Sequence, residues 1–485
     1  MERTTGAPHD GAFFHFKDDH AEAKGLQWGG RFASAPDAAL LAFGSSLADD
    51  LVLAPFDVRC SRAHVTALES GGIVGAGDAA ALRDALDRVA GEIDDGSFAA
   101  WASAQAFEDV HGAIDARVRE HAGPAGERLH AGRSRNDQVA TTLLLYARDR
   151  AQQGAELALD VAALIEEHAA AALERRTLLA ATTHWQPAQP VLLAFWLDAA
   201  AQAFVRAAER FARVAADAAR FCPLGSAALA GSSLPLDRDA AARELGFGAP
   251  SRNALDSVGD RDIVLDLLHA AMRAAVAASR PSEELVIWAT PAFGYVRLDD
   301  AASTGSSLMP QKRNPDPFEL VRAAGARAIG AYAGALASTN GIALSYHRDL
   351  QETKAQAIAG TEGALAALDA FRRAFAHVHF NDDAASARAT DGYTVATDLA
   401  DAVIRTGATA REAHRAVGER VLLAEDRGHS LDRSDAEALG VPDAPVDALG
   451  SVLGKRTAGS THPDAVAASI AATRAAVAAL SESLR

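Results

Sequence analysis

An all-α chain of three helical domains, with a long central helical bundle, is what this sequence predicts. Three observations carry that expectation: long intervals without a helix breaker, a heptad spacing of apolar residues inside one of them, and no alternation of strand-like with helix-like segments. Between Pro190 and Pro223 there is neither Gly nor Pro, and the interval is filled with Ala, Leu, Phe, Arg and Glu. Such residues have high helix propensity or suit a helical stripe. Leu197, Phe204, Phe211 and Ala218 recur at sevens, with Ala201, Ala208, Ala215 and Cys222 four later each time. That is the seam of helices packed side by side, and about 30 residues at ~1.5 Å each span roughly 45 Å.

A second interval, from Asp137 to Ala180, is interrupted only by Gly154. Within it Leu157, Val161, Leu164, Ile165 and His168 follow the i, i+4, i+7, i+8, i+11 rule of one helix face. Further helices are predicted at about 262–289, 317–339 and 354–376, rich enough in Ala to pack closely. Composition shifts divide the chain into a loosely ordered extension over 1–24, an N-terminal helical domain over 25–132, the central bundle over 133–385 and a C-terminal helical domain over 386–485. No signal peptide is expected, because the first residues hold no long apolar core and no small-residue cleavage site.

The chain has 485 residues, 49% of them apolar, and a formal charge of -17 with a pI near 5.4. A nucleic-acid binder needs a basic face and an anionic membrane needs a basic partner, so neither is expected. The apolar stretches carry Arg, Asp or Glu every few residues, which argues against membrane spans. An acidic substrate must be drawn in by local basic groups. Cys60 and Cys222 lie far apart without metal or redox spacing, as expected of two buried thiols in the cytoplasm. Gly75-Ala-Gly77-Asp78 echoes a dinucleotide loop but follows no strand, and no metal or organic cofactor motif is present.

Four polar stretches interrupt the helices. His130-Ala-Gly-Arg-Ser-Arg-Asn-Asp-Gln138 precedes a long helix. Ser134, Asn136 or Asp137 could cap it, but capping explains one polar residue and not six. A helix N-terminus flanked by Arg133 and Arg135 is also a carboxylate site. The second stretch, Thr182-Thr183-His184-Trp-Gln186-Pro-Ala-Gln189-Pro190, sets a histidine able to move protons on a Pro-stiffened turn. The third runs from Ser303 through Gly305-Ser306-Ser307 to Met309-Pro310-Gln-Lys312-Arg313-Asn314-Pro315, with Glu319 at the following helix start. Its spacing is not that of a phosphate loop; a Gly/Ser segment with one Lys and one Asn suits a closing, anion-stabilising loop. The fourth is Ser345-Tyr346-His347-Arg348-Asp349-Leu-Gln351-Glu352-Thr353-Lys354, where Tyr346, Gln351 and Lys354 suit an amino-acid-like ligand. Lys312 and Lys354 are two of only five lysines, beside dozens of arginines; a chain so biased toward Arg keeps Lys where a compact ammonium is needed.

The segment Gly305-Ser306-Ser307-Leu-Met-Pro-Gln-Lys312-Arg-Asn314-Pro315 resembles the signature of the fumarase/aspartase superfamily. Together with HAGRSRNDQVAT at 130–141 it resembles the argininosuccinate lyases in particular. The likeness runs from Trp28-Gly-Gly-Arg-Phe32 through Glu108-Asp-Val-His111, Pro223-Leu-Gly-Ser-Ala-Ala-Leu-Ala-Gly231 and Asp260-Arg-Asp262 to Gly392-Tyr-Thr-Val-Ala-Thr-Asp398. The resemblance implies a fumarase/aspartase-like fold and cleavage of argininosuccinate to arginine and fumarate, the last step of arginine biosynthesis, without a cofactor or metal. It implies Ser306 as the base, its alkoxide stabilised by Lys312 or by backbone N–H groups. Asn314 would donate to the aci-carboxylate, and His184, oriented by Glu319, would protonate the leaving nitrogen. Ser134, Arg135, Asn136, Thr183, Tyr346, Gln351 and Lys354 would bind substrate. A homotetramer with active sites shared among subunits is implied as well.

The chain departs from the family pattern at Ala131, Thr182, Arg313, His347 and Thr353, all on the substrate side. A paralogue releasing fumarate from another N-substituted aspartate is therefore one alternative. A non-catalytic structural protein of the same fold is the other.

Overall fold

Capping and close packing, more than propensity, set the helices of the computed structural model, which describes residues 37–484. The expected extension over 1–24, the start of the N-terminal domain and the Trp28–Phe32 motif lie outside the described residues. Helices longer than ten residues are numbered α1 to α10. The chain divides into two compact units: residues up to Ala131 with Leu234–Asp237, and Gly132–Ser233 with the residues from Arg238 onward.

The first unit packs α1 (Ala54–Ser70), α2 (Ala76–Asp94) and α3 (Val110–Ala122) around Leu68, Leu82, Leu86 and Ile114. Asp109 caps α3 by accepting the Gly112 N–H at 2.7 Å.

The second unit is built on α4 (Arg135–Arg175), a helix of 41 residues that Ser134 starts with a capping box and Arg176 ends in the left-handed region, φ 53°. The bundle is completed by α5 (Leu193–Ala218), α6 (Asp262–Trp288), α7 (Asp316–Thr339) and α8 (Leu350–Phe375). α4 lies along α5, and α6, α7 and α8 pack on one another. The heptad seam of α5 is buried at Leu197, Ala201, Phe204, Ala208, Phe211 and Ala218. Ala215 is half-buried and Val214 is buried in its place, because a straight helix drifts from a strict seven-residue repeat. Cys222 lies beyond the helix end, in a two-residue strand. Gly154 of α4 faces the Phe211 ring so closely that a Cβ would come within 2.8 Å of it. The helix therefore tolerates a residue that costs ~1 kcal/mol relative to Ala in order to seat an aromatic ring.

The region expected to end α4 near Ala180 instead forms a hairpin, Leu178–Thr183 paired antiparallel with Gln186–Leu192. The other strands among the described residues are two or three residues long, so the class is all-α, as predicted.

Beyond the bundle, α9 (Ala410–Arg427) and its neighbours bury a core of their own that includes Leu399, Val403, Ala413, Val417, Leu431 and Ala436. The last helix, α10 (Pro463–Ser483), returns to α4 and α5. There the buried Asp198 accepts hydrogen bonds from Ser469 (2.6 Å), Gln202 (2.8 Å) and Thr473 (2.8 Å), while Arg474 donates to the Glu166 carbonyl at 2.9 Å. Two stretches, Ala38–Ser70 and Pro463–Ser483, are long and apolar enough to cross a membrane, contrary to the sequence expectation that interspersed charges leave none. Alanine runs raise the hydropathy between those charges. The second stretch is held to the bundle through its polar face at Asp198.

Glu166 is 1% exposed and lies against Asp198; burial first, then that neighbour, pushes its carboxyl up to about 8. An unfolded Glu titrates near ~4.3, so between that pH and about 8 the folded chain holds a proton that the unfolded chain has released. Stability is full below the lower value and falls as pH rises to the upper one. Glu166→Gln is expected to flatten this decline and to melt above the wild type at pH 8.5. Parallel thermal melts from pH 5 to 9 check it, and an unchanged slope would count against a protonated Glu166 in the folded chain.

Candidate active site

From Gly132 onward the four polar stretches belong to the second unit, and each is shaped by local backbone chemistry. At the start of α4 the Ser134 hydroxyl accepts the Asn136 N–H at 3.3 Å, and the Ser134 N–H donates to Asp137 Oδ1 at 3.0 Å. Asp137, fully buried, also accepts the N–H groups of Gly225 (2.9 Å) and Ala227 (2.8 Å) through Oδ2. Asn136 donates to the Ala228 carbonyl at 2.9 Å, and Arg135 to Gln138 at 2.7 Å. Asn136 and Asp137 thus bolt the start of α4 to the loop 223–231. Burial raises the Asp137 carboxyl to about 6 against the pull of the three N–H donors and Arg133. Capping and site readings of this stretch are compatible: Ser134 and Asp137 cap, leaving the Arg135 and Asn136 side chains half-buried at a helix N-terminus.

Thr183 and His184 sit at the tip of the hairpin. Thr183 pairs with Gln186 across a two-residue turn whose central residues, His184 and Trp185, both adopt positive φ, 54° and 60°. Asn-Gly is the usual occupant of such a turn, and a left-handed conformation costs an L residue ~1–2 kcal/mol. The turn sets both side chains out from the bundle, His184 exposed and Trp185 47% exposed.

Thr304–Gly305 pairs antiparallel with Arg313–Asn314, and this clasp closes the loop that carries Ser306 and Lys312. Inside it the Ser306 hydroxyl oxygen accepts the N–H groups of Leu308 (3.2 Å) and Met309 (3.0 Å). Arg313 anchors the clasp, donating to the Leu298 carbonyl at 3.0 Å and pairing with Asp300 at 2.5 Å. Asn314 reaches Thr304 Oγ1 at 3.4 Å, and Thr304 in turn donates to Asp316. Lys312 is exposed and makes no ion pair among the described residues; Glu319 is exposed in the first turn of α7. Among the described residues no hydrogen bond joins His184 to Glu319.

In the fourth stretch Ser345 has φ 78°, Tyr346 and Gln351 are half-buried, and Lys354 is 5% exposed on the first turns of α8. Thr353 shares a hydrogen bond with Ser338 of α7 at 2.7 Å. This helix begins four residues earlier than predicted, because the polar run was read as a loop.

The four stretches divide between the two ends of the bundle. One cavity is walled by the first turns of α4 (Ala140, Leu143) and the start of α6 (Arg261, Val264). A second joins Arg261 to Thr339, Ser345 and Leu350. Ser134, Arg135, Asn136, Tyr346, Gln351 and Lys354 therefore share one end. At the other, Trp288 at the close of α6 stacks on Trp196 of α5 at 4.6 Å and on Tyr295 at 5.7 Å. The strand Val296–Leu298 follows and binds Arg313, so the Ser306 loop and the hairpin of His184 belong to this end. The 41 residues of α4 hold the two ends about 60 Å apart.

Asp137, Gly225, Ala227 and Arg261 shape the site without having been singled out as site residues from the sequence. The signal for Asp137 was its place three residues after Ser134, a capping box; the others lie within the motifs 223–231 and 260–262 that carry the family likeness, with no role marked by their residue type. Elsewhere His429, Asp432 and Asp435 come close enough to share a cation, but Arg420 binds Asp435 at 2.6 Å and Asp432 caps the helix Arg433–Ala438. Asp137→Asn, which turns amide N–H groups toward at least one of the three backbone donors, is expected to cost about 1–3 kcal/mol. A lower melting midpoint and faster proteolysis within 223–231 check this; an unaltered melt would contradict it.

Two family models match the chain: one described as lyase over residues 30–330, and one described as argininosuccinate lyase C-terminal over 393–449. The argininosuccinate lyase of Rhodococcus opacus is 40% identical over 475 residues, covering 96% of this chain and 98% of that protein. That of Acidothermus cellulolyticus is 42% identical, covering 93% and 94%. Among solved structures, an EDDS lyase variant with bound fumarate superposes with a TM-score of 0.77 at 26% identity, covering 93% of this chain and 94% of that one. A class II fumarase from Schistosoma mansoni shares the fold, with a TM-score of 0.69 at 15% identity over 83% and 91% of the two chains. Motif order, helical architecture and near full-length identity agree, and the chain belongs to the argininosuccinate lyase family of the fumarase/aspartase superfamily.

Proposed function

We propose that this chain is a C–N lyase that cleaves argininosuccinate to arginine and fumarate. The observation that supports the reading most directly is the Ser306 hydroxyl oxygen accepting two backbone N–H groups inside a clasped loop. A free serine hydroxyl is far too weak an acid to serve as a base. Two fixed donors, with the Lys312 ammonium in the same loop, stabilise the alkoxide at the moment it forms. Ser306 then takes the proton from the carbon beside a substrate carboxylate. Electron density passes into that carboxylate, where Asn314 and Lys312 stabilise the added charge. The C–N bond breaks as the C=C bond forms, and His184, oriented by Glu319, delivers a proton to the departing nitrogen. Thr183, Ser134, Arg135, Asn136, Tyr346, Gln351 and Lys354 hold the substrate's polar groups.

This chemistry needs both ends of the bundle, and one rigid α4 keeps them about 60 Å apart. We therefore read the working form as a homotetramer in which each active site combines residues of several subunits. The outer face of α7 supports this: Leu320, Ile329 and Leu336 are 68%, 49% and 47% exposed, with Ala323, Ala326 and Ala333 exposed between them. Such a stripe of small and apolar residues suits a second helix at close range. Cys60 and Cys222 are both buried, in keeping with a reducing cytoplasm.

Fumarate absorbance with argininosuccinate, adenylosuccinate and aspartate tests the substrate: turnover of the first is expected, and turnover of either other substrate instead would select the paralogue. Ser306→Ala should leave assembly intact and lower kcat by far more than tenfold. A loss smaller than that, a barrier change under ~1.4 kcal/mol, would remove Ser306 as base. The shared site has its own test. Asn136→Ala and Ser306→Ala, each impaired alone, should regain activity when co-assembled, since some mixed sites then carry both intact ends. Failure to recover in verified mixed tetramers would place each site within one chain.

A further inference from the structure

Arg238 is half-buried and, among the described residues, makes no ion pair. Its guanidinium goes instead to one short loop and the segment beside it. Nε donates to the Leu224 carbonyl at 2.9 Å and Nη1 to the Ser251 carbonyl at 3.3 Å. Nη2 donates to Ser251 Oγ (2.9 Å), Ser226 Oγ (3.3 Å) and the Cys222 carbonyl (3.3 Å). Ser226, fully buried, also shares a hydrogen bond with Ser257 at 2.9 Å. A planar fork with several fixed donors can hold acceptors on two segments at once, which an ammonium cannot.

The loop that Arg238 grips is the one that meets the start of α4. Gly225 has φ 85°, and a Cβ there would lie 2.7 Å from Arg238 Cγ, so the arginine side chain lies directly across it. Ala227 is also left-handed, φ 53°, a conformation an L residue keeps only where its surroundings enforce it. The N–H groups of these two residues reach Asp137, and the carbonyl of Ala228 accepts Asn136 Nδ2 at 2.9 Å. That carbonyl takes one amide hydrogen and so sets the plane of the Asn136 side chain. The other hydrogen and Oδ1, which makes no hydrogen bond among the described residues, are left to a ligand.

We propose that Arg238 is a positioning residue of the substrate-binding end, acting through the loop 222–228 on Asn136: by fixing where the Ala228 carbonyl stands, it fixes how the Asn136 amide meets the substrate. The assignment rests on the reading of Asn136 as a substrate contact. Residues 225–231 are Gly, Ser, Ala and one Leu, so the loop has few side chains of its own to hold it. Without the clamp it shifts while the long helices keep their packing. Binding suffers before the fold does.

The test is a double-mutant cycle of Arg238→Met with Asn136→Ala on assembled protein, read by fumarate absorbance. Arg238→Met is expected to raise KM for argininosuccinate by about tenfold and to change kcat by less than about threefold. In the Asn136→Ala background the same substitution should lower kcat/KM by less than about twofold, because the group it positions is gone. Amide hydrogen exchange gives a second readout that needs no substrate. The Gly225 and Ala227 amides should exchange about tenfold faster in Arg238→Met, with the interior of α4 as protected as in the wild type. Should that variant fail to assemble, Ser251→Ala runs the same cycle, keeping the arginine but removing its nearest side-chain acceptor, with KM rising about two- to threefold. Unchanged KM, unchanged exchange at the two amides, a loss confined to kcat, or additive losses in the cycle each overturn the proposal. A wild type that leaves argininosuccinate intact overturns the functional reading first, and with it the role that rests on it.

Discussion

A helix of 41 residues is a rigid strut, and α4 fixes what one copy of this chain can and cannot do. Its N-terminus presents Ser134, Arg135 and Asn136; beyond its C-terminus the chain turns at once into the hairpin of His184. α5 and α6, of 26 and 27 residues, each run about 40 Å along α4, so the Ser306 loop joins the hairpin while Tyr346, Gln351 and Lys354 stay with Ser134. Parallel packing of long helices makes a stable bundle, but it also sorts the polar loops strictly to the two ends. Bringing the groups proposed to transfer protons to those proposed to bind substrate is then a problem of assembly, since loop motion of a few ångströms cannot bridge even the roughly 36 Å that the 24 residues of α7 span.

At each end the backbone supplies the chemistry and the side chains are held to it. Ser306 meets two N–H groups of its own loop, kept in register by the pairing of Thr304–Gly305 with Arg313–Asn314. His184 and Trp185 occupy a turn that glycine would fill with less strain. The surrounding ladder, continued from Leu178 to Leu192, holds them there. Asp137 gathers N–H groups from three separate residues onto one buried carboxylate. In all three places backbone geometry that would be costly alone is stabilised by longer elements beside it.

The helices were legible in the sequence because Pro and Gly punctuate it so sparsely. Predicted starts at 262 and 317 meet observed starts at Asp262 and Asp316. The hairpin was not legible. Leu178–Thr183 lacks the alternation of a half-buried strand, and His-Trp is no turn signal, so only tertiary packing explains it. Site stretches could be read from polar runs inside an apolar chain, and the capping box at Ser134 from its spacing. Arg261 could not, since an arginine in Asp260-Arg-Asp262 reads as a solvated charge run until its burial is known. Which residues meet was equally hidden: spacing along the chain carries nothing about Asn136 and His184 lying at opposite ends of the 41-residue α4.

The five departures from the family pattern acquire meaning from where they sit. Ala131 contributes its carbonyl, which takes a hydrogen bond from His64 at 3.0 Å, and a backbone group is indifferent to the side chain above it. Arg313 spends its guanidinium on Leu298 and Asp300, stiffening the clasp of the Ser306 loop. Thr353 spends its hydroxyl on Ser338, binding α8 to α7. Thr182 stands on the hairpin opposite Pro187, and His347 lends its carbonyl to the Leu350 N–H at the start of α8. Two of the five thus spend their side chains on scaffold contacts, and two contribute main chain. Substitution there alters how firmly the loops are held more than what they touch. The polar groups that would face the substrate, Ser134 to Asn136 with Tyr346, Gln351 and Lys354, are those the family pattern retains, which favours an unchanged substrate over a new one.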